Sequence, residues 1–99
     1  MLDRSRVVSL SAVASQDFRI LLNNQFCRIK IYQKDESVFC DLYVDDVAIW
    51  TGTKAITGTG IKPVAHLAFA GDLIFRDLNG NRNPHFSGFS TRWFLEYVI

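Results

Sequence analysis

One alternation of oxygen-bearing side chains is the pattern most suggestive of chemistry. The alternating residues are Asp77, Asn79, Asn81 and Asn83. An EF-hand calcium loop begins in the same way, but here Arg82 replaces the required glycine at the sixth position and Gly88 replaces the bidentate glutamate at the twelfth. We therefore expect no calcium site, and we interpret the segment as a turn-rich loop in which Asn and Gly adopt positive φ angles.

The histidines and cysteines are the other candidates for catalysis or metal binding. His66 and His85 lie on separate segments, with no Cys or carboxylate at metal-ligand spacing. No histidine that could act as a base lies within the predicted hairpins that carry Cys27 and Cys40. The sequence therefore predicts no catalytic residues, no metal or other cofactor, and no small-molecule substrate.

The stretch FCRIKIY is basic and aromatic on one face. That face would carry Phe26, Arg28, Lys30 and Tyr32, with Arg19 on the neighbouring strand. Stacking groups beside positive charges are typical of β-sheets that bind single-stranded nucleic acid. The net charge of only +1, from 11 Lys and Arg against 10 Asp and Glu, argues against this function. A small nucleic-acid-binding β-barrel stays the alternative.

The elements that would position these residues are strands. Hydrophobic residues make up 48% of the chain, and its aromatic and β-branched residues occur in short runs broken by Asn, Asp, Gly and Ser. We predict that residues 1–99 form a single all-β domain of about seven short strands. In this fold an antiparallel meander is closed into a small sandwich or partly open barrel. No apolar run is long enough for a transmembrane helix, so no membrane partner is expected.

Two-residue turns predict the register of the first hairpins. Asn23-Asn24 suits a type I′ turn because Asn tolerates positive φ, and Asp45-Asp46 is expected to do the same. The predicted cross-strand pairs include Leu22 with Gln25, Ile20 with Cys27, Phe18 with Ile29, Val44 with Val47, Leu42 with Ile49, and Cys40 with Thr51.

The turn between these hairpins should be longer. We predict a four-residue turn at residues 34–37, with Ile31 opposite Cys40. In this register Cys27 and Cys40 both point into the core but lie four residues apart along the ladder, on the order of 13 Å. A disulfide cannot span that distance, so both thiols are expected to be free.

The outer face of the same meander should carry large side chains. Lys30 is expected to form an ion pair with Asp41, and Arg28 to face both Tyr43 and Arg19, an apposition that needs an outside partner or solvent. Tyr32 should pair with Phe39, and Phe26, Phe39, Tyr43 and Trp50 are placed on this side. Apolar groups on both faces of the sheet predict that companions bury part of this surface, unless the C-terminal strands cover it.

Three stretches carry a family resemblance. They are VSLSAVASQDFRILLNNQFCRIKIY, FCDLYVDDVAIWTG and FAGDLIFRDLNGNRNPHFSGFSTRWFLEYV, the last with Gly71-Asp72-Leu73, Gly80, Pro84, Arg92 and Tyr97. On these the chain resembles the small baseplate plug proteins of contractile-tailed bacteriophages and prophages. It departs from them at the turns Asn23-Asn24 and Asp45-Asp46, where the family tends to have Gly-containing turns, and at Phe89, where Leu is more usual.

This resemblance implies a structural virion protein, the central plug of a tail baseplate, that acts by protein–protein assembly in particles built in the host cytoplasm. Its partners would be other copies in a symmetric oligomer and neighbouring hub, tube or spike proteins. No active-site residues are implied. We predict that the interface residues are Phe39, Tyr43 and Trp50 on the outer face and Asn81, Arg82 and Phe86 in the loop.

Overall fold

Seven strands form the fold of residues 5–99, as the alternation of the sequence predicts. The computed structural model describes residues 5–99, so positions 1–4 of the predicted domain lie outside the described residues. The strands are β1 (Ser5–Val8), β2 (Ser15–Leu22), β3 (Gln25–Lys34), β4 (Ser37–Val44), β5 (Val47–Lys54), β6 (Asp72–Asp77) and β7 (Trp93–Val98). A 3₁₀ turn spans Phe86–Gly88.

The strands form two antiparallel sheets. The four-stranded sheet has the order β2-β3-β4-β5, and the three-stranded sheet has the order β1-β7-β6. Within residues 5–99 the sheets do not close into a barrel, so the small sandwich is the correct one of the two predicted architectures. No helix among these residues is both long and apolar enough to cross a membrane.

The core lies between the inner faces of the two sheets. Alternate residues of each strand point inward, as the period of two in a pleated strand requires. The buried side chains include Cys27, Ile29, Ile31, Val38, Cys40 and Leu42 from the four-stranded sheet and Leu73, Phe75, Trp93, Leu95 and Tyr97 from the three-stranded sheet. Each large apolar side chain buried in this way contributes about 1.5–3 kcal/mol.

The registers of β2 with β3 and of β3 with β4 are those predicted. Asn23 and Asn24 have φ angles of 50° and 62°, which fit the expected type I′ turn. The turn between β3 and β4 is shorter than the predicted four residues, because Lys34 pairs with Ser37 and leaves only two residues between the strands. The first of these two, Asp35, also has a positive φ, of 55°.

The predicted register of β4 with β5 holds as far as Tyr43 opposite Ala48 and is wrong beyond that pair. Val44 lies opposite Val47 as predicted, but Leu42 lies opposite Trp50 instead of Ile49, and Cys40 opposite Thr53 instead of Thr51. The ladder is shifted twice between Cys40 and Tyr43. Each such irregularity changes which residues of β5 face inward.

A glycine accommodates the irregular part of β5. Gly52 has a φ of +64°, and its backbone N–H donates to Asp41 Oδ1 at 2.6 Å. The other shift, between Tyr43 and Leu42, skips Ile49 and places Trp50 opposite the buried Leu42. Trp50 therefore points into the core, where it is only 5% exposed and meets Phe69 edge to face at 5.8 Å. The prediction that Trp50 lies on the outer face is therefore wrong.

Both cysteines are buried and free, as predicted. Burial raises the pKa of the Cys40 thiol to about 12, and burial also raises the pKa of Cys27. Neither thiol is a reactive thiolate near neutral pH. They serve as small apolar side chains of the core.

Candidate protein interface

The loop of residues 77–92, here called the Asp77 loop, is organised around one buried carboxylate. The side chain of Asp77 is 0% exposed and accepts two hydrogen bonds from Arg92, Nε at 2.7 Å and Nη2 at 2.9 Å. It also accepts the backbone N–H groups of Asn79 at 2.9 Å and Arg82 at 3.0 Å. Both carboxylate oxygens are therefore engaged within the chain.

The electrostatics of this group follow from these contacts. The hydrogen bonds from Arg92 hold the pKa of Asp77 well below its usual range; burial opposes this shift and the two backbone N–H groups add to it. Asp77 in turn raises the pKa of Arg92. Across residues 5–99 no group of three or more His, Cys, Asp or Glu side chains is placed to hold a metal. Asp77 thus acts as the anchor of a loop.

Arg82 is held by its backbone while its side chain is exposed. Its carbonyl oxygen accepts Trp93 Nε1 at 3.0 Å and Thr57 Oγ1 at 2.6 Å, and its N–H is bound to Asp77. Arg92, which binds Asp77, lies over the ring of Trp93, which binds the Arg82 carbonyl, at 4.4 Å. The two contacts that hold the loop therefore touch each other. The neighbouring Asn81 is also exposed. The loop therefore presents two polar side chains from a backbone that is fixed on both sides.

Phe86, the third interface residue predicted in the loop, is half-buried and packs against the core. Its N–H donates to Gln33 Oε1 at 3.1 Å, and its ring stacks on His85 at 4.7 Å. Pro84, just before this pair, is fully buried. The hydrogen bond to Gln33 ties the middle of the loop to β3, and only part of the Phe86 ring is available to a partner.

The outer face of the four-stranded sheet is a network of aromatic and charged side chains. Tyr32 stacks on Phe39 at 6.0 Å and donates to Asp41 Oδ1 at 2.9 Å. Arg28 and Lys30 lie over the Tyr43 ring at 5.8 and 5.5 Å. Phe39 and Tyr43 are half-buried on this face, as predicted, so their exposed parts are held in place by neighbouring side chains.

The ion pairs on this face differ from those predicted. Lys30 lies opposite Asp41 but, instead of the expected ion pair, Asp41 accepts hydrogen bonds from Tyr32 and Gly52. Arg28 instead binds Asp17 in a bidentate pair, at 2.9 and 2.7 Å. This pair lowers the pKa of Asp17 and raises that of Arg28.

Arg19 also finds its partner inside the chain, since it binds Asp46 at 3.2 Å. Of the two predicted alternatives, an outside partner or solvent, the apposition of Arg19 and Arg28 therefore requires no outside partner, and both side chains also meet solvent. Of the basic and aromatic residues suggested for nucleic-acid binding, Arg19, Arg28 and Tyr32 are engaged by carboxylates of the same chain. Phe26 is 70% exposed.

The ion pair between Asp77 and Arg92 is not among the contacts predicted from the sequence. The available signal is their position, because the two residues lie at the end of β6 and directly before β7, and these strands pair with Asp77 opposite Trp93. A carboxylate and an arginine at the base of a polar loop between paired strands are well placed to close it.

Comparison with known proteins gives one family. The family model described as Cyanophage baseplate Pam3 plug gp18 matches residues 6–99. A search of curated proteins finds no match. The matched region runs from β1 to the end of the chain and includes the whole Asp77 loop. It confirms the resemblance noted from the sequence, and the chain belongs to this family of phage baseplate plug proteins.

Proposed function

We propose that this protein is a noncatalytic central plug of a contractile-tail baseplate that acts by protein–protein assembly. Its family supports a structural role in the baseplate of a phage virion tail. The proposed partners are further copies in a symmetric oligomer and neighbouring hub, tube or spike proteins, joined during assembly in the host cytoplasm. Residues 1–99 would act as one domain in these contacts.

The observation that carries the assembly role is the presentation of Arg82. Its backbone is bound by Asp77, Trp93 and Thr57, while its side chain is exposed. A side chain presented from a fixed backbone loses less conformational freedom on binding, which favours affinity. Arginine is also enriched among the residues that dominate binding energy at protein interfaces. We assign Arg82, with the exposed amide of Asn81, to contact with a neighbouring subunit.

The outer face of the four-stranded sheet supplies a second proposed contact. Phe39 and Tyr43 are half-buried, and their rings are held by Tyr32, Arg28 and Lys30. Aromatic rings fixed in this way offer apolar contact area at a small entropic cost. Trp50 is left out of this proposed contact because it belongs to the core.

The assembly role is tested by replacing Arg82→Ala in the phage. The substitution removes the exposed side chain but keeps the backbone N–H and carbonyl that hold the loop. We expect binding to the neighbouring subunit to weaken on the order of tenfold. Fewer purified particles should then contain the protein when its amount is measured by mass spectrometry, and the infectious titre should fall.

The matched control is Lys34→Ala, which removes an exposed positive charge at the end of β3. This variant should be incorporated like the wild type. Equal incorporation and titre of the wild type, Lys34→Ala and Arg82→Ala would refute the role of the loop.

A further inference from the structure

The two sheets have four edge strands, and three of them are protected. The edge of β6 is covered by the preceding loop, since Gly58 donates its N–H to Phe75 and Ile61 donates to Leu73, each at 2.8 Å. β5 is interrupted by its irregular register, and β1 has four residues within the described part of the chain. β2 has eight residues, and no strand within residues 5–99 pairs with its outer side.

The hydrogen bonds at the two ends of β2 show which backbone groups face outward. The Ala14 carbonyl accepts Gln33 N–H of β3 at 2.8 Å, whereas the Leu21 carbonyl accepts Arg6 Nη1 from the opposite side at 2.9 Å. Backbone groups alternate in direction along a strand, so Asp17 and Arg19 direct their N–H and C=O groups away from β3. An open groove of about 470 Å³ between β1 and β2 adjoins this edge.

Charged side chains usually discourage pairing at an edge strand. Here the charges of the edge are balanced, because Asp17 binds Arg28 and Arg19 binds Asp46. They add no net charge that would repel an approaching strand. Their order along the strand, acidic then basic, is instead complementary to itself when two such strands run antiparallel.

We propose that β2 pairs antiparallel with β2 of a second copy of this chain. In the proposed register Arg19 lies opposite the partner's Asp17, and Asp17 lies opposite the partner's Arg19. The two-fold axis then passes between Phe18 and the partner's Phe18. Both aromatic rings lie on the inner side, where Phe18 already packs against the core. The two four-stranded sheets become one continuous sheet of eight strands.

The charge pattern selects this register among its neighbours. A slip of two residues in one direction places Arg19 opposite the partner's Arg19, and a slip in the other direction places Asp17 opposite the partner's Asp17. Like charges directly opposite each other are destabilising. A slip of one residue sets outward backbone groups against groups already used within the partner's own sheet. Only the proposed register combines two opposite-charge pairs with matched backbone groups at Asp17 and Arg19. For the ladder to extend to Leu21, Arg6 must release the Leu21 carbonyl.

This pairing uses a surface distinct from the Asp77 loop and from the Phe39 and Tyr43 face. It is a property of the isolated chain, so its test does not depend on the role in the baseplate. A two-fold pair is the simplest closed assembly of identical chains.

The test measures the mass of the purified protein in solution by sedimentation equilibrium over a concentration series. The wild type should shift from monomer to dimer as concentration rises. In a dimer of the Arg19→Asp variant, both facing pairs would consist of two acidic residues. In a dimer of the Asp17→Arg variant, both facing pairs would consist of two basic residues. Each variant alone should therefore remain monomeric. An equimolar mixture of the two variants restores both opposite-charge pairs and should form a heterodimer.

The control is Lys54→Asp, an exposed residue of β5 that undergoes the same change of charge as Arg19→Asp. It should dimerise like the wild type. Circular dichroism establishes that each variant is folded, and amide hydrogen exchange of wild-type Arg19 gives a second readout, with protection expected at high concentration and lost on dilution. A wild type that stays monomeric up to about 1 mM, unchanged exchange at Arg19, or no heterodimer in the mixture of folded variants would each overturn the proposal.

Discussion

Two Arg–Asp pairs of nearly the same geometry lie in contrasting regions of this molecule. Arg92 binds Asp77 at the base of the loop with distances of 2.7 and 2.9 Å. Arg28 binds Asp17 on the outer face of the four-stranded sheet with distances of 2.9 and 2.7 Å. The Asp77 side chain is 0% exposed, whereas that of Asp17 is 43% exposed. Only their surroundings differ.

The surroundings decide what each pair does. Asp77 also accepts two backbone N–H groups of the loop, so its loss would leave these donors and the partly buried Arg92 guanidinium without their acceptor. Asp17 meets solvent on a surface where water and salt screen the attraction. In this molecule the ion pair that organises backbone is the one whose carboxylate is buried and shares its oxygens with loop N–H groups. The interface proposed at Arg82 depends on such a pair.

The largest expected effect comes from deleting each acid in turn. Asp77→Ala leaves Arg92 and two loop N–H groups without their acceptor, so we expect a large drop in thermal stability and a loosened loop. Asp17→Ala should change Tm by less than about 4 °C, because the pair is exposed. Thermal denaturation followed by circular dichroism measures both changes in Tm. Equal changes would show that burial does not make the Asp77 pair more important for stability than the Asp17 pair.

A smaller effect is expected from exchanging each arginine for lysine. Arg92→Lys keeps the charge but loses the planar fork that binds Asp77 through two N–H groups, so Tm should fall by less than in Asp77→Ala. Arg28→Lys should leave Tm almost unchanged, since water can replace the lost hydrogen bond at the surface. The same denaturation experiment tests this, and a larger drop for Arg28→Lys would contradict the account.

Lowering the pH should reduce the stability of the protein mainly through Asp77, the buried member of the two acids. The pKa of Asp77 is lowered in the folded state, so the stability it contributes is fully present above its unfolded pKa of about 4 and is lost as pH falls below that value. Asp77→Asn removes this titrating group, so the difference in Tm between pH 7 and pH 3 should be smaller than in the wild type. An unchanged difference in Tm would show that protonation of Asp77 is not what destabilises the protein in acid. Asp17→Asn is the control, because it removes the exposed carboxylate instead of the buried one.

The smallest expected effect on stability is that of Arg82→Ala. The backbone groups that bind Asp77, Trp93 and Thr57 remain, and the lost side chain is exposed. Tm should stay within about 3 °C of the wild type. A strong destabilisation would mean that the side chain is part of the fold, and a reduced titre would then not report on an interface.

Much of the fold follows from local rules. Asn23-Asn24 predicts the β2–β3 register because a type I′ turn requires residues that tolerate positive φ, and the inward side chains predict how β3 pairs with β4. The β4–β5 register does not follow beyond the turn, because no local rule predicts its two shifts, one that skips Ile49 and one at Gly52, whose N–H binds Asp41 across the sheet. The shift at Ile49 is the reason that simple alternation predicts the wrong face for Trp50.

The site is less predictable than the fold. The sequence predicts a turn-rich loop after Asp77, but Arg92 lies fifteen residues away, and no local rule pairs them. The same limit applies to the outer face, where the strand register places Lys30 opposite Asp41 correctly while the side chains choose other partners. Cross-strand neighbours are defined by the backbone, whereas long polar side chains select among several partners within reach.

The most direct test of the central claim is cryo-electron microscopy of the intact tail. We expect density for this chain in the baseplate, with the loop closed on Asp77 and the Arg82 side chain in contact with a neighbouring subunit. A baseplate in which the chain is present but its Asp77 loop faces solvent, or a tail that lacks the chain, would contradict it.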